Sequence, residues 1–194
     1  MEKIAVSAAK FLVRQGGGDV ANLDIYEYGI VVALSFLVNA AVAVLVGIVF
    51  SALVDLLVFF LPFAVHRSLS GGYHADTWWG CLLMSSIVIA ITLLLIKSQA
   101  SAYTLQISIA LLLFSCVSTF IFAPIENPNN PLTAKGKVKF RKCSRLCTLL
   151  FVTLGAMLFV AGMESHSFSV ALALGISGAT QMICVIQKRR RCSK

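Results

Sequence analysis

The chain has 194 residues, 59% of them hydrophobic and only 12% charged, and a mean hydropathy of +0.91. An ordinary soluble domain carries roughly 25% charged residues and about 45–50% apolar ones, so a soluble globular enzyme is excluded. The apolar runs are too long for the alternating strands of an outer-membrane barrel, which leaves an all-α polytopic membrane protein. The formal charge of +8 reads as a topology signal, not as a nucleic-acid footprint, and no nucleic-acid partner is expected.

Residues 1–15 have helical periodicity, with Ile4, Ala8, Phe11 and Leu12 on one face and Lys3, Ser7, Lys10 and Arg14 on the other. Apolar on one side and cationic on the other, this segment predicts an amphipathic interfacial helix on an anionic leaflet, either as an orienting anchor or as part of a substrate-holding surface. Gly16, Gly17 and Gly18 end it. Nothing in the first 28 residues resembles a cleavable leader. The whole of 1–194 reads as a single membrane domain, with six apolar segments between 29 and 187 and a basic tail at 188–194.

The segments run over about 29–50, 52–65, 81–96, 103–123, 148–163 and 166–187. Spanning a hydrocarbon core takes roughly 20 residues, so the second and third are short. The second also contains Pro62, which predicts a tilted, kinked or partly re-entrant path. With six crossings and the N-terminus inside, all of the sixteen Lys and Arg except Lys97 fall on the cytoplasmic side, as the positive-inside rule requires. Both termini, the 66–80 loop and the 124–147 loop are then cytoplasmic. The outer connections are very short, which argues against a receptor for an external ligand. The six cysteines have no disulfide-scaffold spacing and are expected to be reduced.

The stretch from His66 to Cys81 concentrates chemistry at one membrane boundary: His66, Arg67, Gly71, Gly72, His74, Asp76, Trp78, Trp79 and Cys81. A cysteine nucleophile needs a base that takes its proton, and His74 with Cys81 is the obvious pair. On one straight helix the two would lie about 10 Å apart along the axis, so the pairing requires His74 in a loop that folds back over the next helix. Gly71, Gly72 and Gly80 give the backbone that freedom. At the start of a helix, the macrodipole would favour a Cys81 thiolate. A plainer alternative makes the tryptophans interfacial anchors, His74 a loop residue and Cys81 a lipid-facing one. A third makes His66, His74 and Cys81 metal ligands, although no recognised zinc spacing is present. No metal or cofactor is expected.

Arg67, the run Gly71-Gly72-Tyr73-His74-Ala75 and Cys81, in a small chain of six apolar segments with a basic amphipathic start, resemble the accessory gene regulator B (AgrB) family of Gram-positive quorum sensing. The Pro124, Glu126, Asn129, Asn130, Pro131, Leu132 run resembles that family's second recurrent stretch. The resemblance implies a bacterial cell-membrane cysteine endopeptidase that cleaves a signal propeptide of AgrD type in the cytoplasm and promotes its closure to a thiolactone or lactone. It places the nucleophile on Cys81 and the histidine on His74, with Arg67, Gly71 and Gly72 in support and Asp76 as a candidate acid.

Lys135, Lys137, Lys139, Arg141 and Lys142 form a basic loop that either contacts anionic lipid or holds the acidic tail that such propeptides carry. Cys143 and Cys147 read as ordinary thiols. Asn39, Asp55 and Gln181 are polar residues in or beside apolar segments, and Asp55, near an outer end, is expected to be solvated. Gly155, Gly162, Gly175 and Gly178 leave helix faces for close packing, a homodimer included. The rival readings are a small channel or peptide exporter without chemistry, and a scaffold for a partner kinase.

Overall fold

The structure is a computed structural model and describes residues 2–15, 23–72, 78–98, 103–125 and 133–192. The described residues form seven helices: α1 (Glu2–Arg14), α2 (Leu23–Val49), α3 (Leu53–Ser70), α4 (Trp78–Lys97), α5 (Thr104–Phe122), α6 (Ala134–Val160) and α7 (Glu164–Cys192). Each of the six apolar segments becomes one of α2 to α7. Five contain stretches long and apolar enough to cross a membrane, and α4 contributes the shorter apolar stretch Leu82–Lys97.

Helix α7 is the centre of the bundle because its side chains are small. Ser167, Ser169, Ala171, Ala173, Gly175, Ser177 and Gly178 let neighbours approach from every side, and the helix is buried almost all round from 167 to 178. Helices α3, α5 and α6 pack directly on it. The more uniformly apolar α2 stays at the periphery and exposes Phe36, Leu37, Leu45 and Val49, as suits a helix facing lipid. Gly155 abuts Val170, Gly175 abuts Leu111, and Gly178 abuts Phe114 and Ser115. These three glycine faces therefore serve packing within the chain, and a homodimer would have to form elsewhere.

The bundle has two distinct ends. At one, Asp55 accepts a hydrogen bond from Ser165 at 2.8 Å and Lys97 Nζ donates to the Phe50 carbonyl at 2.8 Å. At the other, Ile125 N donates to the Ser70 carbonyl at 2.9 Å and Arg145 Nη2 donates to the Phe120 carbonyl at 2.8 Å. Helix α3 touches α7 at both ends, through Asp55 and through His66. It is one continuous helix of 18 residues that carries Pro62 inside it, about 27 Å long at 1.5 Å per residue. The re-entrant alternative is thus set aside: the segment is short but runs from one end of the bundle to the other.

Helix α1 packs on α2 through a face other than the apolar one that the periodicity assigns to the leaflet. Ala9 is fully buried, whereas Phe11 is 60% exposed. Phe11 and Leu12 therefore remain available to lipid, while Lys10 and Arg14 are also exposed.

Candidate active site

The site grows from the last turn of α3. Gly71 N closes that turn on the Arg67 carbonyl at 3.0 Å, while Ile125 N reaches the Ser70 carbonyl. Gly71 has φ +74°, and a Cβ there would strike the Ile125 carbonyl oxygen. At Gly72 a Cβ would lie 2.9 Å from Thr180 Oγ1 on α7. The two glycines are thus the only width that the gap between the 123–125 segment and α7 admits. They also bring the two stretches that resemble the AgrB family, around Gly71 and Pro124, into backbone contact.

Arg67 lies partly buried with its guanidinium carbon 5.7 Å from the Phe63 ring centroid. The chain re-enters helix at Trp78, so Cys81 is the fourth residue of α4, in its first turn. There the macrodipole favours an anion, and hence a thiolate. His74 falls between the end of α3 and the start of α4; His74, Asp76 and the Cys81 side chain lie outside the described residues. Trp79 is 67% exposed, an orientation that suits an interfacial anchor.

The basic segment is not a loop. Thr133 caps α6 by accepting from Gly136 N at 3.2 Å, and Lys135, Lys137, Lys139, Arg141 and Lys142 occupy the first turns of that helix, all exposed. High charge suggested a loop, but Lys and Arg are good helix formers and a Thr cap satisfies an end donor. Among these cations Arg145 differs: it folds inward, 5.0 Å from the Phe120 ring centroid, and ties α6 to the end of α5.

Sequence reasoning missed the role of His66. Its ring is fully buried, with Nδ1 2.7 Å from Ser177 Oγ and Nε2 2.9 Å from Thr148 Oγ1. Both nitrogens are engaged by hydroxyls, so His66 is not offered to a metal, and the His66, His74, Cys81 ligand reading loses one of its members. Among the described residues no cluster of three or more His, Cys, Asp or Glu could hold a metal ion. Asp55 also departs from expectation. Besides Ser165 it has His166 Nε2 at 4.0 Å, so it ties α3 to α7 as well as meeting solvent.

These features define a polytopic α-helical membrane protein with a cysteine in the first turn of α4, glycines at the end of the preceding helix and a basic start to α6. The Accessory gene regulator B (AgrB) family model matches residues 5–186, and the chain belongs to that family. Among curated proteins it is similar to AgrB-like protein 2 of Clostridium perfringens (strain 13 / Type A), at 27% identity over 74% of this chain and 70% of the relative. An AgrB-like protein of Clostridium beijerinckii is 29% identical over 60% of this chain and 56% of its own length. A further AgrB-like protein, from Clostridium perfringens (strain SM101 / Type A), is 27% identical over 62% of this chain and 59% of the relative. No solved structure matches.

Proposed function

We propose that this chain is a membrane-embedded cysteine endopeptidase that cuts a signal propeptide of AgrD type and promotes its cyclisation, with Cys81 as nucleophile and His74 as base. The observation that carries the reading is the position of Cys81 in the first turn of α4, nine residues beyond Gly72, in a chain of the AgrB family. The Cys81 thiol passes its proton to His74, and the thiolate attacks the carbonyl at the C-terminal edge of the future ring. The amide C–N bond breaks, the leaving amine takes the proton from His74, and an acyl-enzyme thioester remains. An internal cysteine or serine of the peptide then attacks that thioester, closes the ring and releases Cys81 as a thiol. Water would hydrolyse the same intermediate, and a site at the membrane boundary limits its access.

The exposed cations of α6 would capture the acidic tail of the propeptide and contact anionic lipid, and Arg67 and Asp76 would support the site. This end of the bundle, with both termini, would face the cytoplasm, a reading that the charge distribution supports. Co-expression with a propeptide that has an acidic C-terminus should give the shortened product. Cys81→Ala should abolish it and His74→Ala should lower it by about 10²-fold or more. Continued release of the fragment by both variants would refute the peptidase reading and leave a peptide exporter or channel as its successor.

A further inference from the structure

Four helices meet at His66. The Thr148 hydroxyl directs its proton to the Ser144 carbonyl at 2.8 Å, so toward the ring it can only accept. Nε2 therefore carries the ring proton, and Nδ1 accepts from the Ser177 hydroxyl. Thr119 Oγ1 lies 3.2 Å from Nε2 and also accepts from Gln181 Nε2 at 3.5 Å. Ser118 in turn donates to Gln181 Oε1 at 2.8 Å. One imidazole thus joins α3 to α5, α6 and α7 in a region shut from lipid and water.

The direction of these contacts matters more than their number. Ser70, one turn beyond His66, donates to the His66 carbonyl at 2.8 Å, and its own carbonyl holds Ile125. Thr180, one turn beyond Ser177, occupies the space a Cβ on Gly72 would need and donates to the Ser177 carbonyl at 2.8 Å. The same short segment of α7 therefore meets both the ring of His66 and Gly72, where the chain leaves α3. We propose that His66 is a positioning residue for the reaction assigned above. It sets the register of the α3 end against α7, and thereby the point from which the chain runs on toward His74.

The inference rests on the peptidase reading, and its test is built to fail separately. In a chain whose cysteines other than Cys81 are replaced by Ala or Ser, His74→Cys gives one thiol pair, Cys81 and residue 74, that copper–phenanthroline oxidises to a disulfide when the two meet. With His66 present the cross-link should form. In His66→Leu it should slow by about tenfold, and His66→Gln, whose amide N–H replaces the Nε2 donor, should restore it to within about threefold. With native His74 and propeptide, His66→Leu should lower kcat and leave KM nearly unchanged, because the exposed cations of α6 are untouched. A folded, monodisperse His66→Leu protein that cross-links at the parent rate would overturn the proposal, as would a pair that never cross-links with His66 in place. Should His66→Leu fail to accumulate, Ser177→Ala removes only the hydroxyl facing Nδ1 and is read in the same way. A Cys81→Ala protein that still cleaves would remove the peptidase assignment, whereas the cross-linking rate would still report the loop.

Discussion

Gly71 carries a constraint that no side chain can meet. Its φ of +74° lies where an L-residue loses roughly 1–2 kcal/mol, and the Ile125 carbonyl oxygen occupies the space a methyl group would need. Gly71→Ala should therefore destabilise the protein by at least about 1–2 kcal/mol, measured by thermal unfolding in detergent. Activity should fall further than stability, since relief of the clash must displace either the loop toward His74 or the 123–125 segment. A Gly71→Ala protein with unaltered melting and unaltered processing would show that the two stretches do not touch as described. The same distinction applies at Asp55. Its partner Ser165 stands at the opposite end of the bundle, so loss of that hydrogen bond should weaken the fold without a specific effect on turnover.

At the scale of the element, α6 has an unusual first turn. It has no acidic residue there, although anions and not cations suit a helix N-terminus. Five exposed cations at this helix start suit an external anion. Neutralising Lys135, Lys137 and Lys139 together to Gln should raise the apparent KM for an acidic-tailed propeptide more than it lowers kcat. The effect should shrink at high salt, where exposed charges are screened over about 10 Å or less. Processing that is indifferent to both the substitutions and salt would assign the cations to lipid alone. The sequence made the six apolar helices legible, because each is an apolar run, and it offers Cys81 and His74 as a candidate pair. It did not reveal His66, whose partners Ser177, Thr148 and Thr119 are 111, 82 and 53 residues away. The polar residues of those apolar segments, Gln181 among them, were the available signal, but only helix packing tells which of them meet. The basic segment was misread as a loop because its charge outweighed Thr133, the one residue that marks a helix start.

For the molecule as a whole, the two ends differ in charge and in construction. One end has the tight α2–α3 and α6–α7 connections and, among the described Lys and Arg, only Lys97; the other has Gly71 and Gly72 at the end of α3, the basic start of α6 and the basic end of α7. The positive-inside rule places the second end in the cytoplasm, a prediction that thiol labelling can check. Cys143 is partly buried in the first turns of α6, and Cys147 one turn later is buried. A membrane-impermeant maleimide should thus miss Cys143 in intact cells and reach it once the membrane is opened, while Cys147 reacts only after unfolding. Ser98→Cys, at the exposed end of α4 beside Lys97, should show the reverse and label in intact cells. Labelling of Cys143 from outside together with protection of Ser98→Cys would invert the whole bundle. The proposed cleavage would then face outward, where a propeptide made in the cytoplasm would have to cross the membrane before it could be cut.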